Sequence, residues 1–232
     1  MRVSAIVLAG GKGERLKSRF SKPLIRLKSK PIIAYSLIAF SKNPKVKEII
    51  VVVNALNKKS IFALIKKQRI NKVRHIVLGG KERQDSVYNG LKAVSDSADL
   101  VLIHDGGRPF IDVSVISKVI AEAAHSGAAI VGVPVKSTIK SVKVSKGQSV
   151  RVSKTLDRSR LWEIQTPQVF KKDLILRAFR KFGKASVTDD ATLVEKLGVR
   201  PRLVLGSYNN IKVTTPEDLI IARTIAKKWK TA

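Results

Sequence analysis

Runs of apolar residues alternate with amphipathic stretches along most of the first 135 residues. Short β-branched runs predict buried strands, and apolar residues at helical spacing predict helices. The predicted strands are residues 3–9, 48–53, 73–78, 100–104 and 128–133, and the predicted helices are 32–40, 58–69, 84–94 and 113–124. Such alternation, with nearly continuous apolar strands, predicts an α/β fold: a mostly parallel sheet with helices on both faces.

The pattern changes after residue 135. Residues 138–144 and 150–156 alternate in β fashion, which predicts a hairpin arm at about 136–157 that projects from the α/β body. Because a lone ribbon with small apolar faces is marginal, we expect the arm to pack on another subunit. Helices are predicted at 173–182, at 189–197 and from Pro216, a strand at 202–205, and a turn at Gln165-Thr166-Pro167-Gln168. We expect a single domain over 1–232.

The charge is strongly basic: 46 Lys and Arg against 17 Asp and Glu give a net charge of +29. Such a balance indicates nucleic acid, an anionic membrane surface or phosphorylated substrates as partners. Acidic residues are interspersed throughout and the 12 aromatic residues are scattered, which favours a solvated Lys-rich surface over a nucleic-acid stripe. The absence of Cys excludes disulfides, thiolate metal sites and a Cys nucleophile.

The longest apolar stretches, 31–40 and 128–135, are shorter than the roughly 20 residues that span a bilayer. The start, MRVSAIVLAGG, superficially resembles a signal peptide, but its apolar run covers only 3–9 and a basic glycine loop follows at once. A buried first strand suits this pattern better. We therefore expect a cytoplasmic protein with no membrane partner.

The glycine-rich segment LAGGKGERL directly follows the first predicted strand. Glycines at such a turn allow backbone N–H groups to approach an anion closely. The segment lacks the third glycine of a dinucleotide fingerprint and the Gly-Lys-Ser/Thr of a P-loop. Because Arg15 and Lys22 follow the glycines, the segment predicts a triphosphate site; a tight turn with solvated cations is the alternative.

Two further loops carry candidate chemistry. GGKERQDSV, residues 79–87, opens a predicted helix, where N–H groups and Ser86 could contact a ligand; a plain helix-entry loop is the alternative. In HDGGRP, Asp105 directly follows the predicted strand 100–104, at the carboxyl end where open α/β sheets bind ligands. Asp105 suits Mg²⁺ and Arg108 suits a phosphate, whereas we assign His104 to packing or hydrogen bonding.

The sequence offers no obvious protein nucleophile. It contains no Ser-His-Asp order, no HExxH pair and no metal-binding His cluster. This favours transfer at phosphorus, where positioning and charge neutralisation do most of the work.

Eight segments, taken in order, closely resemble the 2-C-methyl-D-erythritol 4-phosphate cytidylyltransferase family: LAGGKGERL, SKP, GGKERQDSVYNGL, HDGGRPF, PVKSTIK, LDRSRLWEIQTPQVF, TDDATLVEKLG and GSYNNIKVTTPEDL. The resemblance runs from about residue 3 to residue 225. It implies a Rossmann-like nucleotidyltransferase fold and a homodimer whose β-arms embrace across the two-fold axis. It also implies the reaction: the acceptor's phosphate attacks the α-phosphorus of CTP, pyrophosphate leaves, and CDP-methylerythritol forms.

The resemblance also implies roles for individual residues. The implied catalytic cations are Arg15, Lys22 and Lys212. The implied CTP-binding residues are Ala9, Gly10, Gly11, Gly13, Gly80, Ser86 and Asp105. The implied acceptor-binding residues are Asp105, Arg108, Thr138, Arg158, Thr166 and Thr188, with Thr138 and Arg158 reaching from the partner's arm. Asp105 would also lie near Mg²⁺, together with the CTP phosphates.

The chain departs from the family pattern in three places. Gly106 and Gly107 replace two common alanines, Ser137 replaces a usual Asp before Thr138, and Asn209 stands at an often acidic position. Ser137 therefore lacks the carboxylate that stands beside Thr138 in the family pattern. The nearest alternative is a cytidylyltransferase for another polyol phosphate such as ribitol 5-phosphate. A basic nucleic-acid-binding protein is the alternative from a different class, and it leaves the ordered motifs unexplained.

Overall fold

A seven-stranded sheet organises the residues that the computed structural model describes, which are 1–11, 13, 21–144 and 150–229. The strands are β1 (Val3–Ala9), β2 (Arg26–Leu27), β3 (Lys30–Pro31), β4 (Val46–Val53), β5 (Val73–Leu78), β6 (Leu100–Asp105), β7 (Ala128–Pro134), β8 (Lys140–Val144), β9 (Val150–Thr155), β10 (Trp162–Lys171) and β11 (Arg202–Leu205). The large sheet has the order β11-β7-β10-β6-β1-β4-β5, and its pairs are parallel except those of β10. The predicted mostly parallel sheet is confirmed.

The main difference between the predicted and the observed elements is strand β10, which the sequence analysis does not predict. The segment Gln165–Gln168 is predicted as a turn, but it lies within β10, which pairs antiparallel with β6 and β7 in the middle of the sheet. Against β7, the pairing passes from Ile164 to Gln168 while the partner advances only from Gly132 to Ile130. Pro167, which has no N–H to donate, therefore lies in an irregularity of the ladder. The Thr166–Pro167 peptide bond is cis.

Helices cover both faces of the sheet, as predicted. They are α1 (Ile32–Lys42), α2 (Lys58–Lys67), α3 (Arg83–Leu91), α4 (Val113–Ser126), α5 (Lys172–Phe182), α6 (Asp190–Glu195) and α7 (Pro216–Lys228). One buried cluster joins one side of the sheet to α1, α2 and α4, and a second joins the other side to α3, α5 and α6. Strand β1 shows how successive side chains alternate between the two faces: Val3, Ala5 and Val7 belong to the first cluster and Ile6 to the second.

Other sequence predictions agree closely with the observed elements. Three predicted strands match to the residue, 3–9, 73–78 and 202–205, and the other predicted helices and strands differ at their ends by at most three residues. A short two-stranded ribbon of β2 and β3 and a 3₁₀ turn at Lys22–Leu24 are not predicted. Among the described residues, no helix is long and apolar enough to cross a membrane.

Strands β8 and β9 form the predicted hairpin arm as a separate two-stranded sheet. Its apolar residues are mostly open to solvent: Val142, Val144, Val150 and Val152 are 46%, 70%, 61% and 62% exposed. The loop between the strands, 145–149, lies outside the described residues.

Candidate functional site

The candidate site lies at the carboxyl ends of the parallel strands. Asp105 is the last residue of β6. Strand β1, which pairs with β6 in the sheet, leads directly into the glycine loop. Ligands of open α/β sheets bind at this edge, outside the carboxyl ends of the strands. The described residues of the loops at 9–13, 79–82, 105–108 and 210–214 supply several of the predicted site residues, among them Gly11, Gly80, Asp105, Arg108 and Lys212.

Asp105 is the electrostatic centre of the site. Its Oδ2 lies 2.7 Å from the Nζ of Lys212 and 3.9 Å from the Nε of Arg108, and its Oδ1 lies 3.3 Å from the Nε of Arg83. Burial by itself would raise the pKa of Asp105, but Arg83 and then Lys212 hold that pKa well below its usual range. The carboxylate is therefore ionised throughout the physiological range and gathers three cations.

Arg83 also binds a second carboxylate, that of Asp190. Its NH2 group lies 2.8 Å from Oδ2 of Asp190, which is 1% exposed. Burial raises the pKa of Asp190, and Arg83 offsets part of that effect. Arg83 thus joins the start of α3 to both β6 and α6. The sequence prediction did not include Asp190, although an acid beside the apolar Ala191, Leu193 and Val194 was a usable signal of a buried ion pair.

The side chain of Lys22, the first residue of the 3₁₀ turn, lies between Gly13 of the glycine loop and the loop after Asp105. A Cβ on Gly13, which has a φ of +71°, would lie 2.9 Å from the Cβ of Lys22. A Cβ on Gly107 would lie 2.8 Å from its Cε and 2.9 Å from its Nζ. The N–H of Val213, next to Lys212, donates to the carbonyl of Gly107 at 2.9 Å. Two lysines that are far apart in sequence therefore converge on one loop.

The start of the glycine loop is held by two asparagines that the sequence prediction missed. The Nδ2 of Asn57 donates to the carbonyl of Ala9 at 2.9 Å, and the Nδ2 of Asn54 donates to that of Gly10 at 3.1 Å. These hydrogen bonds satisfy the two backbone carbonyl groups at the start of the glycine loop. Gly11 is exposed. The predicted Arg15 lies outside the described residues.

The second predicted loop, before α3, is closed on itself. The N–H of Gly80 donates to Oγ of Ser86 at 3.1 Å, and that hydroxyl donates to the carbonyl of Glu82 at 3.1 Å. Glu82 and Asp85 form a reciprocal capping box at the start of the helix. The structure therefore assigns Gly80 and Ser86 internal hydrogen bonds, and their contact with the nucleotide stays a prediction.

Two of the predicted acceptor residues, Arg108 and Thr166, lie beside Asp105. The NH1 of Arg108 donates to the carbonyl of Asn210 at 2.8 Å, and the side chain is largely buried. Its Nε has no hydrogen-bond acceptor among the described residues, although Asp105 lies 3.9 Å away. The hydroxyl of Thr166 accepts the N–H of Asp105 at 3.0 Å. Thr166 therefore fixes the backbone that carries the central carboxylate.

The other predicted acceptor residues are exposed. Thr188 lies two residues before Asp190, and Thr138 and Arg158 lie at the base of the arm. Arg158 donates from NH1 to the carbonyl of Lys136 at 2.8 Å. Within the described residues, neither Thr138 nor Arg158 forms a hydrogen bond or ion pair with Asp105 or Lys212.

His104 has the packing and hydrogen-bonding role assigned to it from the sequence. Its ring is fully buried, with Nε2 3.0 Å from the carbonyl of Arg108 and Nδ1 3.1 Å from Oγ1 of Thr166. Phe40 packs edge-on against it at 5.0 Å between ring centroids. Burial lowers the pKa of His104 to about 4, so the ring is neutral near pH 7.

The metal-binding capacity of the site rests on one carboxylate. Nowhere in the described part of the chain do three or more Asp, Glu, His or Cys side chains group as a metal cluster. Mg²⁺ needs few protein ligands when substrate phosphates supply the others. Asp105, an ionised oxygen donor, fits a metal held in this manner. The arrangement as a whole concentrates positive charge around one ordered carboxylate and suits the binding of phosphates.

Comparisons with known proteins agree with this geometry. Residues 3–228 match the family model of 2-C-methyl-D-erythritol 4-phosphate cytidylyltransferase. The chain is 45% identical to the protein of that name from Alkaliphilus metalliredigens, over 99% of this chain and 95% of the relative. A similar relative from Shouchella clausii is 45% identical over 98% of both chains.

Solved structures give the same result. The 4-diphosphocytidyl-2C-methyl-D-erythritol synthase of Anaerococcus prevotii superposes with a TM-score of 0.85 at 32% identity, covering 97% of this chain and 96% of its own. The cytidylyltransferase of Thermus thermophilus gives 0.79 at 28% identity, covering 98% of this chain and 100% of its own. Sequence, fold and site agree, and the chain belongs to the 2-C-methyl-D-erythritol 4-phosphate cytidylyltransferase family, a family of nucleotidyltransferases.

Proposed function

We propose that the cluster around Asp105 is the active site at which this chain transfers a cytidylyl group from CTP to 2-C-methyl-D-erythritol 4-phosphate. The observation that carries the proposal is the convergence of Lys22 and Lys212 on the loop after Asp105, at the sheet edge where the glycine loop begins. Family membership supplies the reaction, and this convergence supports the location that we propose for it.

The reaction needs positive charge more than it needs a base. A phosphate oxygen of the acceptor attacks the α-phosphorus of CTP in line, the bond from that phosphorus to the bridging oxygen breaks, and pyrophosphate leaves with the electron pair. The attacking phosphate monoester is already anionic at neutral pH, so no protein group must remove a proton. Two anions must approach each other, and cations that neutralise their charge lower the barrier.

The lysines have complementary roles in this proposal. Lys22 and Arg15 bind the triphosphate from the side of the glycine loop, where the N–H groups of Gly11 and Gly13 also bind phosphate oxygens. Lys212 binds the α-phosphate from the opposite side. The 2.7 Å contact with Asp105 orients Lys212 before the nucleotide arrives. Such pre-orientation means that little reorganisation is required in the transition state.

Asp105 is also the proposed protein ligand of Mg²⁺, together with the CTP phosphates. A bound Mg²⁺ would neutralise phosphate charge and stabilise the leaving pyrophosphate. The contribution of the chain is to keep this carboxylate ionised, through Arg83 and Lys212, and fixed, through the hydrogen bond from its N–H to Thr166.

The acceptor binds beside Asp105 and Arg108 in this proposal, with Thr166 and Thr188 next to it. Thr138 and Arg158 complete the site from the arm of a second subunit. The open apolar residues of the arm support a homodimer, because a ribbon of two strands gains stability when its apolar face is covered. We further propose that residues 1–232 act as one nucleotidyltransferase domain in the cytoplasm.

The test is pyrophosphate release from CTP by the purified chain, with each acceptor supplied separately. We expect release with 2-C-methyl-D-erythritol 4-phosphate and little release without an acceptor. Activity only with ribitol 5-phosphate would assign the chain to the related polyol class. Retention on DNA or RNA with a steep salt dependence, and no pyrophosphate release, would favour the nucleic-acid-binding alternative.

A further inference from the structure

A cavity of about 350 Å³ opens at the end of the sheet opposite the active site. It is lined by the starts of β1, β4 and β5, which contribute Arg2, Lys47, Glu48 and Arg74, and by the segment before β6, which contributes Ser95 and Ser97. Asp105 ends β6 at the other edge, five residues beyond the start of that strand, which corresponds to roughly 15–20 Å. The cavity is thus separate from the site described above.

The charges lining this cavity are mostly positive and unpaired. Arg2, Lys47 and Arg74 contribute three cations, and within the described residues none of their side chains forms an ion pair with a carboxylate. In the site around Asp105, by contrast, the cations Arg83 and Lys212 form ion pairs with carboxylates. The crowding of positive charge extends beyond the lining: burial and then Lys47 lower the pKa of Lys72, which lies before the same strand as Arg74.

The single acid of the lining, Glu48, forms no ion pair with these cations in the part of the chain that the structure describes. It is 9% exposed, and its Oε1 accepts a hydrogen bond from the N–H of Ser95 at 2.9 Å and another from the hydroxyl of Ser4. Glu48, itself in β4, therefore ties the segment before β6 to the sheet and lines the cavity. Two hydroxyls, those of Ser95 and Ser97, lie 2.9 Å apart beside it.

We propose that this cavity binds a small phosphate-bearing molecule whose phosphate is held by Arg2, Lys47 and Arg74. Guanidinium groups match phosphate geometry and form strong, charge-assisted hydrogen bonds with it. The volume of the cavity falls at the lower end of the range for small-molecule sites, which suits a phosphate with a few attached atoms. An anion here would also offset the repulsion between Lys47 and Lys72.

The test uses inorganic phosphate as the probe and the ¹⁵N-labelled full chain at constant ionic strength. CTP is present in excess, so that the proposed nucleotide site is occupied. We expect a saturable shift of the backbone amide resonances of Ser95 and Ser97, and no such shift with chloride. Because the readout is local to the cavity, it does not depend on whether the chain turns over CTP.

Two double variants separate a built site from general attraction to a basic protein. Arg2→Gln with Arg74→Gln should weaken phosphate binding roughly tenfold or more, since charge-assisted hydrogen bonds are lost. Arg2 and Arg74 are exposed, and Lys59→Gln with Lys67→Gln on α2 removes the same charge from exposed positions that do not line the cavity, so it should leave the affinity unchanged. A shift that does not saturate, no shift at Ser95 and Ser97, or equal weakening in both variants would overturn the proposal.

Discussion

The loop after β6 and the hairpin arm both carry residues predicted to bind the acceptor, but their physical surroundings are opposite. In the loop, Asp105 and Arg108 are 8% and 7% exposed and belong to one network of ion pairs and hydrogen bonds. In the arm, Arg158 is exposed, and its described hydrogen bond goes to a backbone carbonyl of the same arm. The valines of the two arm strands are exposed to solvent. Ion pairs and hydrogen bonds fix the position of the loop, whereas the arm is a small ribbon whose apolar residues are exposed.

This difference shows which part of the proposed site one chain completes by itself. A buried carboxylate needs partners, and Asp105 has them within its own chain. An exposed ribbon needs a covering surface, and the part of the chain that the structure describes does not supply one. Substitutions in the loop should therefore affect the site of their own subunit, whereas substitutions in the arm should affect the site of the partner subunit.

The largest effect is expected from Lys22→Ala. Loss of one cation that stabilises transition-state charge should lower turnover roughly 10²–10³-fold, by analogy with the loss of a single oxyanion-hole donor. Steady-state pyrophosphate release measures this effect, with Lys59→Ala on α2 as the exposed control. Near-normal turnover in Lys22→Ala would refute the proposed catalytic role of this lysine. The same loss is expected for Arg15→Ala.

A large loss of stability is expected from Arg83→Gln. This change leaves Asp190, which is 1% exposed, without its cationic partner. Breaking such a buried pair costs about 3 kcal/mol in the free energy of unfolding. Urea unfolding at pH 7 measures the loss, and Arg177→Gln on the exposed side of α5 is the matched control. Equal stability of the two variants would show that Asp190 does not depend on Arg83.

A moderate dependence on pH is expected from His104. Its pKa in the folded chain is about 4, below the value of about 6.5 in an unfolded chain, so the unfolded state takes up a proton first as the pH falls. His104 should therefore remove about 2 kcal/mol of stability between pH 7 and pH 5. Urea unfolding at pH 7 and at pH 5 should show a smaller loss of stability in His104→Gln than in the native chain. The control His125→Gln should retain the full loss, and an unchanged loss in His104→Gln would contradict the prediction.

The smallest effect is a partial recovery of activity through the arm. Lys22→Ala and Arg158→Ala are each expected to be inactive, but in a mixed dimer one of the two sites contains neither change. Random exchange of subunits should restore roughly a quarter of the native activity. Activity is measured after exchange has been verified by two different affinity tags. No recovery in verified mixed dimers would mean that each site is built within one chain.

Much of the fold could be predicted from the sequence because the signals are local. Strand β1 and strand β5 follow from apolar β-branched runs, and α2 follows from Ile61, Leu64 and Ile65 at helical spacing. Strand β10 could not be predicted in this manner, since Pro167 indicates a turn when read locally. Its place depends on an irregular register against β7, which is a property of two strands together.

The site was predictable in part for the same reason. Asp105 follows from an apolar strand that ends in an acid, and Lys212 entered through a motif resemblance. The pairing of Arg83 with Asp190 spans 107 positions in the sequence, and no local pattern reports it. The hydrogen bonds that hold Ala9 and Gly10 come from Asn54 and Asn57, which follow a different strand.

The sequence by itself therefore determined the alternation of strands and helices, the existence of the arm and the family, because periodicity and ordered motifs are properties of neighbouring residues. Only the tertiary structure decided which cations meet Asp105, that Asp190 shares Arg83 with it, and that β10 lies inside the sheet. The physical reason is that burial and distance determine the strength of a charge interaction, and both arise only when distant segments pack together.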